Sequence, residues 1–130
     1  MTVVSPSAMA PYSGMVPGWL AGIYKFDDIC IDFEALAQAA GARLITDDVI
    51  ACDATLRQVM LHSGGVLGAD VMSINIGATL RPPEVPGADV LPMRPLGALR
   101  TRWETLLSDL AMDPLQRPLT LSVVGGGAAG

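Results

Sequence analysis

Apolar residues alternate with a helical period in two places and cluster in short β-branched runs elsewhere. Phe33-Glu34-Ala35-Leu36-Ala37-Gln38-Ala39-Ala40 is a short Ala-rich helical stretch. Asp32 sits where an N-cap carboxylate would accept a free N–H, and Gly41 sits where a left-handed stop belongs. From Pro95 the period is again helical, with Leu96, Leu99, Trp103, Leu106, Leu107 and Leu110 on one face. Arg100, Arg102, Glu104 and Asp109 fall mostly on the other face. Trp103 reads as part of the packed face, and Pro114 and Pro118 end the helix.

The remaining apolar runs predict strands. Thr2-Val3-Val4-Ser5 is the first and Ala42-Arg43-Leu44-Ile45-Thr46 the second, joined through the Phe33–Ala40 helix as half of a βαβ unit. Asp48 to Leu67 changes character. Val49–Cys52, Arg57–Leu61 and Val66-Leu67 are short runs separated by turn residues, which predicts an antiparallel β-meander over Val49–Val66. Asp70-Val71-Met72-Ser73-Ile74-Asn75-Ile76-Gly77 is apolar enough for a central parallel strand. It is expected to lie in one sheet with Thr2–Ser5 and Ala42–Thr46. Arg81–Gly87 is a stiff Pro-rich linker. Leu119–Val124 is a last strand, and Gly125, Gly127 and Gly130 follow it with G-x-G-x-x-G spacing. After a strand, that spacing serves a tight turn, a close backbone approach to a pyrophosphate, and close helix packing. The pattern as a whole predicts an α/β, partial Rossmann-like fold with parallel strands plus an antiparallel meander.

Ser5 to Tyr24 fits neither period. It carries Pro6, Pro11, Gly14, Pro17, Gly18 and Gly22 among Met9, Tyr12, Met15, Trp19 and Tyr24. Loops of this length in compact domains are functional or disordered, and the aromatics argue against disorder. Trp19 and Tyr24 read equally as core fillers and as ligand contacts. Trp19-Leu20-Ala21 reads as a helical turn stopped by Gly22.

Composition narrows the function. The 130 residues are 51% hydrophobic and 16% charged, with a formal net charge of −5 and Lys25 as the single lysine. A chain this acidic lacks the basic surface that neutralises phosphates, which excludes nucleic acid. Cys30 and Cys52 form neither a C-x-x-C pair nor a metal pattern with the lone His62, and read as buried free thiols. His62 reads as an exposed imidazole at a turn, and no residue stands out as a general acid or base. There is no charged leader before an apolar core and no transmembrane segment. The expected location is cytoplasmic, free or peripheral to the inner membrane face.

Taken in order, these elements resemble the middle of the two-dinucleotide-binding-domain flavoproteins, the pyridine nucleotide-disulfide oxidoreductase superfamily. In that family a meander replaces a crossover helix of the FAD domain. Pro11-Tyr12-Ser13-Gly14-Met15-Val16-Pro17-Gly18 followed by Ala21-Gly22-Ile23-Tyr24 is similar to the type II NADH dehydrogenase-like module associated with selenide, water dikinase. Asp70-Val71 to Gly77-Ala78, Leu91–Pro95 and Trp103-Glu104 fit the same group. The resemblance implies that residues 1–90 are part of an FAD-binding domain. It implies that 91–130 hold a linker helix and the start of an NAD(P)H-binding domain, so the chain reads as an internal fragment. Ser5, Pro6, Tyr12, Ser13, Met15, Gly77 and Ala78 would border FAD, with the Val49 backbone near adenine. Gly125, Gly127 and Gly130 would receive NAD(P)H. The electron acceptor would be a quinone, and the partner module a selenide, water dikinase.

Three departures stand out. The family's first G-x-G-x-x-G is absent, and the acidic residue at the end of its second strand is replaced by Ser5. The redox cysteines of the disulfide reductases are also missing, so a thiol relay is not expected. The 130-residue chain made alone is expected not to retain FAD. Two other readings stand beside this one, a non-redox nucleotide-binding module and a protein-interaction domain using the Tyr12–Tyr24 loop.

Overall fold

The computed structural model describes residues 1–112 and 119–125. The elements are β1 (Thr2–Ser5), β2 (Met9–Pro11), α1 (Val16–Leu20), β3 (Cys30–Asp32), α2 (Phe33–Ala39), β4 (Arg43–Thr46), β5 (Val49–Asp53), β6 (Gln58–Leu61), β7 (Val66–Gly68) and α3 (Leu96–Met112). They divide between two compact units, one of Met1–Ala10 with Cys30–Ile76 and the other of Pro11–Ile29 with Gly77–Gly130.

The first unit holds the sheets. β1 and β4 run parallel, with Thr2 opposite Arg43 and Ser5 opposite Thr46. The connection between them includes α2, and both ends of that helix are set by local chemistry. The Asp32 carboxylate accepts the Ala35 N–H at 2.9 Å. At the other end Gly41 takes φ +61°. There Gly41 N–H donates to Gln38 O at 3.1 Å and Ala42 N–H to Ala37 O at 2.8 Å. These are the paired bonds of a Schellman stop, which needs a left-handed residue that glycine supplies without steric cost. β5, β6 and β7 form the expected antiparallel meander. Ala37, Val59 and Leu61 are the buried apolar residues of this unit. β2 pairs with β3 in a separate two-stranded sheet.

The second unit packs α1 and the Pro11–Ile29 loop against α3. Val16, Trp19, Ile29 and Leu99 are buried, and Met15, Leu20, Phe26, Leu91, Met93, Leu96 and Trp103 pack around them. Trp19 and Trp103 are therefore core residues. Tyr24 is 42% exposed, so the two aromatics the sequence treats alike part company.

Three expectations fail. Val71–Ile76 forms no strand, and Val71 and Ile76 are 89% and 84% exposed. Leu119–Val124 forms no strand either, with Val124 at 98%. An apolar β-branched run becomes a strand only when a ladder partner takes its N–H and C=O groups. Among the described residues neither run has one, and the parallel sheet stays two-stranded. Cys52 lies on β5 and is exposed, while Cys30 is half-buried. Only the free-thiol part of that expectation holds. Pro114, Pro118, Gly127 and Gly130 lie outside the described residues. No helix among the described residues is long and apolar enough to cross a membrane.

Candidate functional site

In open α/β sheets ligands gather at the carboxyl ends of parallel strands, where strand ends and following loops leave backbone groups free. Here that edge is formed by the ends of β1 and β4. Asp47 N–H donates to Ser5 O at 2.9 Å, which closes the ladder and brings Ser5 beside Asp47. Pro6 turns the chain out of β1. The Ser5 hydroxyl donates to Ser7 O at 2.8 Å and accepts from Ser7 N–H at 3.4 Å. Ser7 Oγ in turn accepts the Met9 N–H at 3.2 Å. A hydroxyl therefore sits at the end of β1 where a carboxylate would be expected, and a carboxylate sits one strand away at Asp47.

Asp47 also ties this edge to the meander. One carboxylate oxygen accepts Asp48 N–H at 2.7 Å, and the other accepts Ser63 N–H at 3.4 Å. His62 N–H donates to Asp48 O at 2.8 Å, so the β4–β5 link and the turn after β6 are pinned together. A hydrogen bond from the Ser63 side chain is the main force holding the Asp47 carboxyl below the usual carboxylate range. Burial works against it, and the Asp48 and Ser63 backbone and the charge of His62 add to it. Val49 follows directly and opens β5 opposite Leu61. Ser5, Pro6 and Val49 thus belong to one unit, in which Ser5 stands beside Asp47 and Val49 follows two residues after it. Asp47 is hard to read from the sequence because its partner Ser63 is sixteen residues away. The legible signal was an Asp-Asp pair directly after a βαβ strand.

A lowered folded-state pKa has a signed consequence. The Asp47 contribution is fully present above the ordinary carboxylate range and is lost as pH falls through the lower folded value. Resistance of the native chain to urea unfolding is expected to weaken as pH falls from about 5 towards about 2, with Asp47→Asn losing part of that dependence. Identical pH profiles for the two proteins would show that this pin carries no charge-dependent stability.

Tyr12, Ser13 and Met15 lie together in the second unit, on a 3-10 turn over Ser13–Met15. Tyr12 N–H donates to Ile29 O at 2.8 Å and Met15 N–H to Tyr12 O at 3.0 Å. Met15 packs on the buried cluster while the Tyr12 ring stays 54% exposed. That ring lies over Gly14, where a Cβ would come within 2.9 Å of it. The result is a flat aromatic face presented to solvent. Gly77 and Ala78 lie in an exposed irregular segment rather than at a strand end, with Gly77 at φ +71°. Gly125 is exposed at φ +128°, a conformation that suits a tight Gly-rich turn.

Nothing in this arrangement is a nucleophile–base pair, and no metal-holding group of His, Cys, Asp or Glu occurs among the described residues. His62 is exposed at a turn. A shallow groove between α2 and β4, lined by Glu34, Ala37, Gln38, Ala42 and Leu44, contains none of the candidate residues. The chemistry available is recognition, through hydroxyl and carboxylate at a strand edge and an aromatic face on a turn.

No family model and no curated protein matches this sequence. Among solved structures the chain is similar to the sulfide:quinone oxidoreductase of the hyperthermophilic bacterium Aquifex aeolicus. The TM-score is 0.60 at 18% identity, over 87% of this chain and 26% of that one. At that identity the likeness is one of fold. A mixed α/β chain with a parallel strand pair and an antiparallel sheet folds here as about a quarter of an oxidoreductase does.

Proposed function

We propose that this chain is the flavin-contacting part of an FAD-dependent oxidoreductase that is reduced by NAD(P)H and passes electrons to an acceptor such as a quinone. The observation that carries the reading is the β1–α2–β4 unit running directly into the β5–β7 meander. That order is what the flavoprotein resemblance calls for, and it accompanies the fold likeness to an oxidoreductase. In this reading residues 1–90 serve FAD, and residues 91–130 link to the NAD(P)H-binding domain.

The residues present fit parts of FAD. Ribose hydroxyls need acceptors at a strand end, and Ser5 Oγ and the Asp47 carboxylate stand there. A carboxylate has about four acceptor positions, so the bonds to Asp48 and Ser63 leave capacity for a hydroxyl. The acidic edge favours a ribose over a phosphate, which would meet Asp47 and Asp48 as like charges. Pro6 holds the turn after β1 open, and the Val49 backbone at the start of β5 serves adenine. Tyr12 offers a flat face for a ring system, with Ser13 and Met15 shaping the same turn. Gly77 and Ala78 leave an exposed backbone open to close approach. Gly125, with Gly127 and Gly130 outside the described residues, belongs to the NAD(P)H turn.

When bound, the flavin supplies the electron-transfer chemistry, and the chain supplies binding and orientation. In the overall reaction NAD(P)H loses two electrons and becomes NAD(P)⁺. The acceptor gains them with two protons, one arriving with the hydride and one from solvent. A selenide, water dikinase module as partner rests on the sequence resemblance alone.

The test uses the protein that carries this chain in its native reading frame. It is expected to purify with one flavin per chain and to consume NADH or NADPH when a quinone is added. Tyr12→Ala is expected to shift the flavin absorption bands and weaken flavin retention by roughly tenfold, the scale of one aromatic contact. A protein that binds nucleotides but purifies without flavin would replace this reading with a non-redox nucleotide module. Unchanged bands and retention in Tyr12→Ala would remove Tyr12 from the site.

A further inference from the structure

The loop that carries Tyr12 is held at its far end by a side chain of α3. Arg100 places its guanidinium carbon 4.2 Å from the centroid of the Phe26 ring. The same guanidinium donates to Glu104 at 2.9 Å and lies 3.8 Å from the Asp27 carboxylate. Phe26 also meets Trp19 edge to face, with ring centroids 5.1 Å apart. Phe26 therefore touches both a buried indole and a cation that two carboxylates flank. Arginine suits this place because its planar, always-charged group stacks on a ring while its N–H groups face carboxylates.

Backbone bonds carry the hold from Phe26 to the aromatic turn. Ile29 N–H donates to Phe26 O at 3.2 Å, and Ile29 O accepts Tyr12 N–H at 2.8 Å. Met15, three residues past Tyr12, packs on the cluster that contains Ile29 and Leu99. The two ends of the Pro11–Ile29 loop are thus joined, and α3 grips the joint through Arg100.

We propose that Arg100 is a positioning residue: a clamp on Phe26 that keeps the Pro11–Ile29 loop closed on α3 and so fixes the Tyr12–Met15 turn. The clamp stands on the contacts of this unit alone. Its consequence for flavin rests on the function proposed above.

Lys25 gives the test a single reporter. It is the only lysine in the chain and is exposed next to Phe26. A lysine-specific endoprotease therefore has one site, and it lies in a turn closed by Asp28 N–H to Lys25 O at 3.2 Å and Lys25 N–H to the Asp28 carboxylate at 3.1 Å. Cleavage requires that turn to open, and where opening is fast its rate reads the open population. In the full chain, Arg100→Ala is expected to raise the cleavage rate at Lys25 about fivefold, because it removes both the charge and the planar stack on the Phe26 ring. In a Phe26→Leu background, Arg100→Ala is expected to add almost nothing, because the clamp acts through that ring. Cleavage of Arg100→Ala at the native rate would overturn the clamp. So would a full fivefold effect persisting in the Phe26→Leu background, since Arg100 would then act by another route. In the flavin-bearing protein, Arg100→Ala is expected to move the flavin bands in the same direction as Tyr12→Ala. Faster cleavage with unmoved bands would leave the clamp standing and count against the placement of flavin on the Tyr12–Met15 turn.

Discussion

Trp19→Ala is expected to unfold the α1–α3 unit near room temperature or to lower its melting temperature by roughly 15–30 °C. Trp19 is 8% exposed and shares its core with Val16, Ile29 and Leu99. Removing the indole forfeits its transfer energy, leaves a cavity, and takes away the edge-to-face contact with Phe26. Large-to-small changes of this kind cost about 3–5 kcal/mol, against total stabilities of about 5–15 kcal/mol for whole domains. With only a few residues fully inside, neighbours have little to repack with. Trp103 remains as the fluorescent reporter, and its emission should shift to the red with the loss of near-UV circular dichroism. A melting temperature within about 4 °C of the native chain, the shift expected for about 1 kcal/mol, would show that Trp19 is not the core of this unit.

Leu61→Ala carries the second large expected effect, in the other unit. Leu61 is 4% exposed on β6, and Val59 on the same face is 8% exposed. β5 is exposed along its whole length, so the meander is held from β6 rather than from both outer strands. Loss of the Leu61 side chain is expected to cost about 3 kcal/mol, and amide exchange at Val59 and Met60 should quicken by roughly 100-fold. Ile50→Ala is the control. Ile50 is 57% exposed, so its loss should leave the same amides nearly unchanged. Equal effects from the two substitutions would mean that burial in the meander is not where the contacts place it.

The elements that were legible in the sequence are those whose instructions are local. α2 is read from Asp32 before it and Gly41 after it, and both act on backbone groups within a few residues. The meander is read from turn residues between short runs, because antiparallel neighbours need only a tight turn to pair. α3 is read from the spacing of Leu96, Leu99 and Trp103, which one helix face gathers whatever lies opposite. The strands expected at Val71–Ile76 and Leu119–Val124 do not form, for the converse reason. A parallel strand depends on a partner distant in sequence, and periodicity within the run carries no information about that partner.

The candidate site divides in the same way. Ser5, Pro6 and Tyr12 are candidates through a motif and a strand end. Asp47 emerged only when Ser5 O and Ser63 came to it from two directions. Trp19 and Tyr24 are alike in composition and context, yet one is buried and the other lies on the surface with its ring over Gly18. A Cβ at Gly18 would stand 2.6 Å from that ring. By itself the sequence determined the caps, the turns, the helical faces and the acidic, lysine-poor character of the chain, because each is decided by neighbours along the backbone. Tertiary structure alone decided which apolar runs found a ladder, which aromatic entered the core, and that Asp47 and Arg100 hold loops in place, because each depends on groups that only folding brings within reach.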